Sequence, residues 1–153
     1  MGCDIHATYV AEKQGELKVV EVDVIDVRSY VLFGALAGVR SNLIRPLDGV
    51  IGRGLTDKMK ELFPDGDALL GDHSFTYLSL DEIAELSKRI SAEKPAQIKC
   101  CCPCHKDDDE VVDNTEEIEY TNYVLGVLYA ISSEMNTLAE NYDNMYLVMG
   151  FDS

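Results

Sequence analysis

The feature that most constrains this chain is the pairing of its two ends. Near the start, "CDIHATYV-AEKQGE-LKVVEVDVIDV" sets two β-branched runs on either side of a polar linker containing Gly15, the pattern of a β-hairpin. Near the end, "MYLVMGF" is a short apolar run of strand length that follows the turn signal Asp143-Asn144. Between them the period changes to that of helices. A chain that begins and ends in strand, with helices between, closes most simply by pairing the last strand with the hairpin. The expected fold class is therefore α+β: a small sheet of the N-terminal hairpin and the C-terminal strand, helices packed on one face, and long loops.

The first arm alternates. Cys3, Ile5, Ala7 and Tyr9 share one face, while Asp4, His6, Thr8 and Val10 share the other. Downstream, "SYVLFGALAGV" is a short apolar helix with Ser29 as N-cap and Gly38 near its end. Thr56 caps a turn or two of helix through Phe63. "SLDE", Ser79 to Glu82, is a capping box opening a helix to about Ile90. Asn114 with Glu117 forms another, ahead of a long helix to about Tyr142 whose apolar stripe is Val124, Val127, Leu128, Ile131, Met135, Leu138 and Tyr142. Residues 91–115 are polar and broken by Pro95 and Pro103, and they read as an insertion in a single domain spanning 1–153.

Charge is sorted along the chain. The formal net charge is −15, yet from Arg28 to Lys60 six basic residues stand against Asp48 and Asp57. From Asp107 onward there are 12 acidic residues and no Lys or Arg. Broad binding to duplex nucleic acid needs an extended basic footprint, which this balance excludes. It accommodates a small anionic ligand at the basic segment, or a basic host protein on the acidic half. No apolar window approaches membrane-spanning length, and the start lacks the basic flank and apolar run of a secretory signal, so a cytoplasmic location is expected. Five cysteines in that compartment read as thiols or metal ligands.

Four groups of residues carry candidate chemistry. Asp4 and His6 lie two apart on one strand face, presenting an oxygen and a nitrogen either to a divalent metal or to each other as a hydrogen-bonded pair at a sheet edge. "GDHS" places Asp72, His73 and Ser74 in a Gly-flanked loop ahead of the strand "FTYLSL". Folded over the first strand, Asp72 and His73 would complete a mixed metal site with Asp4 and His6. Alternatively His73 and Ser74, with Asp72, would serve acid–base or nucleophilic catalysis, or simply cap the strand. Arg40, Arg45 and Arg53 punctuate the long loop "RSNLIRPLDGVIGRGL" and Arg28 ends the hairpin; with Tyr30 or Tyr77 for stacking they would hold a phosphate-bearing ligand, or they pair with the chain's own carboxylates. Finally, "CCCPCH", Cys100 to His105, spells the covalent haem pattern at Cys101, Cys104 and His105. Haem is not expected, because that attachment happens outside the cytoplasm; a soft-metal knuckle or a reactive surface insertion is the expected reading.

The opening "MGCDIH", the segment "DVRSYVLFGALAGVR", the "RGL" at Arg53, the stretch "DHSFTYLSLDEI" and the terminal "GFD" resemble a group of uncharacterised small bacteriophage and prophage proteins that begin MGCDIH. Residues 91–115 fall outside the likeness. The resemblance implies a viral accessory setting in the cytoplasm of an infected bacterial host, where such proteins act on host defences or nucleotide metabolism. The expected function is thus binding of a nucleotide or other phosphate-bearing ligand. It would proceed with metal-assisted phosphoester hydrolysis, or as sequestration of a defence signal, or else as acidic mimicry of nucleic acid against a host protein.

Overall fold

In the computed structural model, residues 2–64, 70–94 and 115–152 are described. The chain builds β1 (Asp4–Lys13), β2 (Glu16–Glu21), α1 (Tyr30–Ala37), α2 (Asp57–Leu62), β3 (His73–Ser79), α3 (Leu80–Glu93), α4 (Thr115–Ala139) and β4 (Asn144–Asp152). All four strands pair antiparallel in the order β2-β1-β4-β3. The fold is α+β, and β4 does pair with the hairpin, from Asp4 opposite Asp152 to Glu12 opposite Asn144.

The hairpin turns on Gln14 and Gly15, both left-handed at φ 53° and 82°, as a two-residue turn matched to strand twist requires. Its second arm is shorter than the sequence pattern suggests. β2 stops at Glu21, because Asp23 takes a left-handed φ of 51° and a bulge interrupts the ladder at Tyr9/Val10. One further bond, Val24 N–H to the Ala7 carbonyl at 3.0 Å, ties the departing chain to β1.

Alternation sorts the two sheet faces. Cys3, Ile5, Ala7 and Tyr9 of β1, with Leu147, Met149 and Phe151 of β4, pack against Leu32, Phe33 and Leu36 of α1, Ile83 and Leu86 of α3, and Val124, Leu128 and Met135 of α4. On the other face Val10 and Val148 meet Met59 of α2, Phe63 and Leu70 in a smaller core. So α1, α3 and α4 occupy one face, and the short α2 takes the other.

The caps behave as their residues dictate. The Ser29 hydroxyl accepts from the Leu32 N–H, and Gly38 ends α1 at φ 73°. Thr56 accepts from the Met59 N–H at the head of α2. Ser79 and Glu82 form the reciprocal box at the head of α3, which runs to Glu93 rather than Ile90. α4 ends at Ala139, before Tyr142, as Asn141 and Tyr142 turn back onto the Leu138 and Ala139 carbonyls. Asn114 and the Cys100–His105 cluster lie outside the described residues. The FTYLSL strand begins earlier than expected, at His73, and forms the sheet edge beside β4. Among the described residues no helix is long and apolar enough to cross a membrane.

Candidate ligand-binding site

Three strand ends meet at one end of the sheet: the start of β1, the end of β4 and the start of β3. Asp4 and Asp152 face each other there across the β1–β4 ladder. Like charges directly opposite are unfavourable, and each carboxylate has a side-chain partner. The Arg28 guanidinium donates to Asp4 at 2.7 and 2.8 Å, and His6 Nε2 lies 2.7 Å from Asp152 Oδ2. The His6 bond holds the Asp152 carboxyl below the usual carboxylate range, with a smaller contribution from His73. Asp4 in turn raises the already basic Arg28. A cavity of about 560 Å³ beside this pair is lined by Asp4, His6, Asp23, Asp26 and Arg28. Three aspartates against one arginine make it hostile to an anion. The Tyr30 hydroxyl accepts from the Cys3 N–H at 3.2 Å, so Tyr30 anchors the strand start instead of offering itself to a ligand.

Asp72, His73 and Ser74 reach the same end of the sheet from the β3 side. A bulge separates His73 from Thr76, and Ser74 sits in it at a left-handed φ of 58°. His73 stacks on Phe151 with centroids 6.3 Å apart; its Nδ1 lies 2.8 Å from Ser74 Oγ and its Nε2 4.0 Å from Asp72 Oδ1. The geometry thus links Ser74, His73 and Asp72 to one another. Among the described residues, however, no group of three or more His, Cys, Asp or Glu side chains is placed to hold a metal ion. Asp4 Oδ1 is engaged by Arg28 and His6 Nε2 by Asp152.

The loop arginines do not converge. Arg53 makes a two-pronged bond to Glu82 at 2.8 and 2.8 Å, donates to the Tyr77 carbonyl at 2.9 Å, and lies 4.9 Å over the Tyr77 ring. Arg45 reaches Glu93 at 3.2 Å and Asp48 at 3.7 Å. Glu82 and Glu93 sit at opposite ends of α3, so the helix rise holds the two guanidiniums on the order of 16 Å apart. Arg40, at φ 65°, is exposed and has no ion pair among the described residues. A single clamp of these three arginines is therefore not built. The guanidinium that organises the loop is Arg89 of α3, which donates to the Pro46 carbonyl at 2.9 Å and to the Arg45 carbonyl. Burial lowers its pKa, and Arg45 nearby adds to the effect.

Cationic and aromatic groups do come together elsewhere, on the α2 side of the sheet. Arg53, Gly54 and Leu55 of the loop, Lys60 and Phe63 at the end of α2, Leu70, and Phe75 of β3 enclose a cavity of about 320 Å³. Phe63 and Leu70 are buried, so the floor is apolar. Arg53 is neutralised by Glu82, which leaves Lys60, exposed and without an ion pair among the described residues, as the free cation at the mouth. Arg53 stays protonated because Glu82 raises its pKa, and Glu82 is held low by the same bond. Tyr77 supports the rim from below, packed edge-on against Tyr146 at 6.0 Å.

Of the residues singled out in the sequence, Arg53 alone lines this pocket and Tyr77 buttresses it. Phe63 reads locally as a helix end, Leu70 as part of a loop and Phe75 as the start of a strand, and only the folded chain shows them facing one space. Lys60 is visible as part of the basic segment, without a signal that sets it apart. Comparisons with family models, with curated proteins and with solved structures return no match to this chain.

Proposed function

We propose that the protein binds a small ligand combining an aromatic ring with a phosphate or similar anion, a nucleotide in chemical class, in the pocket of Arg53, Lys60, Phe63, Leu70 and Phe75. One observation carries the reading: an apolar floor with two phenylalanines opens beside Lys60, which has no ion pair among the described residues. Ligand pockets have this composition, largely apolar walls with few placed polar groups, and volumes of about 300–1,000 Å³. Stacking of a base on the aromatic floor and attraction of its phosphate to Lys60 divide the work.

Among the described residues, none of the side chains lining the pocket is a carboxylate or an imidazole, and such walls suit holding a ligand better than converting it. Sequestration is accordingly the function we adopt. In the viral setting that the resemblance implies, this is a phage accessory protein removing a host nucleotide signal in the bacterial cytoplasm. Hydrolysis is the second reading. It rests on Ser74 Oγ lying 2.8 Å from His73 Nδ1, one residue along the chain from Phe75. Calorimetric titration with mono-, di- and cyclic nucleotides at fixed salt tests the binding claim. Wild type binds at least one, and Lys60→Ala weakens it by roughly tenfold, the loss of one charge-assisted contact. Absence of binding across the panel removes the reading. Phosphorus NMR of the same mixtures shows unchanged nucleotide if the protein sequesters, and a cleaved product if it hydrolyses.

A further inference from the structure

Arg53 lines the ligand pocket and lies over the Tyr77 ring, and Tyr77 in turn lines a second cavity, of about 270 Å³, on the same sheet face. Every strand contributes to it. The alternation that places Val10 and Val148 in the core beneath α2 brings Glu12 of β1 and Tyr146 of β4 to the next positions on that face. Leu17 of β2, opposite Glu12 in the ladder, and Tyr77 of β3 complete the row. Met59, buried on the sheet side of α2, adds a polarizable thioether.

The charges in this lining are unevenly satisfied. Glu12 is half-buried and accepts from Asn144 Nδ2 at 2.6 Å, yet it has no ion pair among the described residues. Asp57, exposed at the rim where α2 begins, likewise has none among the described residues. Lys58 also borders the space, but its ammonium donates to the Gly15 carbonyl at 2.7 Å and is held toward the hairpin turn. The Tyr77 and Tyr146 rings stand 6.0 Å apart at 81° to each other, two walls of a corner. Burial raises the Tyr146 pKa, and Glu12 and then Tyr77 add to it, so the phenol stays neutral beside the carboxylate.

These groups discriminate among guests. An anion is opposed by Glu12 and Asp57, and a neutral apolar guest leaves both without a counter-charge. A hard divalent cation needs a shell of several oxygen ligands, and among the described residues no group of three His, Cys, Asp or Glu is placed to hold a metal. An organic cation is weakly hydrated and exchanges its water for aromatic rings and a carboxylate at little cost.

We propose that this cavity binds an organic ammonium group, an alkylamine or a quaternary amine, against Tyr77 and Tyr146, with Glu12 and Asp57 as its counter-charge. At about 270 Å³ the space falls just under the range that holds whole drug-sized ligands, so it takes a headgroup. It shares no lining residue with the nucleotide pocket, so the two claims fail separately.

The test titrates ¹⁵N-labelled full-length protein at constant ionic strength with choline, with butylammonium, and with dimethylbutanol, the uncharged isostere of choline. Both cations should shift the amide resonances of Glu12, Asp57, Tyr77 and Tyr146, and the alcohol should not. A peptide carrying one trimethyllysine distinguishes the sources of the headgroup. Tighter binding than choline assigns the site to a modified protein side chain and weaker binding to a free amine, and either upholds the ammonium site. Glu12→Gln keeps the size and the Asn144 bond, and it should weaken both cations. Tyr146→Leu should weaken choline about tenfold, the loss of one cation–π contact. If Tyr146→Leu changes the circular dichroism, Glu12→Gln decides alone. No shifts, shifts confined to other residues, an equal response to the alcohol, or full choline affinity in Glu12→Gln would overturn the proposal.

Discussion

The Arg53–Glu82 pair shows how one interaction sets the shape of the pocket, and Glu82→Gln tests it. Arg53 and Glu82 are 20% and 25% exposed, their two bonds are both 2.8 Å, and Arg53 also holds the Tyr77 carbonyl. The substitution preserves size and keeps an oxygen for the Ser79 N–H, which now bonds Glu82 at 3.1 Å. What it removes is the charge on one side of a largely covered pair. Two charge-assisted bonds reduced to neutral ones, with a guanidinium left uncompensated, should cost about 2–3 kcal/mol. At about 2–4 °C per kcal/mol for a chain of this size, the melting temperature should fall by roughly 4–12 °C. Because Arg53 holds Glu82 below its ordinary range, the unfolded chain binds more protons at acid pH and the contribution fades as pH falls. The gap between wild type and Glu82→Gln should therefore be full near neutrality and shrink below about pH 4, under the ordinary glutamate pKa. Thermal unfolding by circular dichroism across pH reads both quantities. An unchanged melting temperature, or a gap that persists unaltered in acid, would refute the assignment of this pair as the staple between loop and α3.

Two further perturbations probe the junction of β3 and β4. Gly71 has φ +75°, and an added Cβ would meet the Phe151 backbone at 2.6 Å, so Gly71→Ala should lower stability by about 3 kcal/mol in urea denaturation from strain and clash together. At the other side of the same sheet end, His6→Ala removes the bond that depresses Asp152, and a carboxyl-carbon NMR titration should show the Asp152 midpoint moving up.

What could be read in advance divides by the distance over which a residue finds its partner. The Ser29 and Thr56 caps and the Ser79–Glu82 box are satisfied within a few residues, and local chemistry announces them. The six-residue linker expected around Gly15, in contrast, closes to a tight turn at Gln14 and Gly15. Pairing of β4 with β1 followed from hydrophobic runs at both ends of the chain. The site was less legible because its bonds span the sequence. His6 finds Asp152 146 positions away, and Arg53 finds Glu82 29 positions away. Nothing near Arg45 or Arg53 signals that each will be drawn to a different end of α3. In a chain with 28 acidic residues, pairing within the molecule outcompetes convergence on a shared ligand. Phe63, Leu70 and Phe75 show the complementary case. They lie at the end of α2, ahead of β3 and in β3, and only the approach of α2 to β3 brings them around one space.

The claim that this space is the ligand site is tested most directly by the aromatic ring resonances of the phenylalanines. With the four Phe residues assigned by substitution, a nucleotide identified by calorimetry is added to saturation. Stacking on the pocket floor predicts ring-current shifts at Phe63 and Phe75, with Phe33 and the His6 and His73 rings unmoved. Shifts confined to His6, His73 and Phe151 would place the ligand at the sheet end and contradict the account.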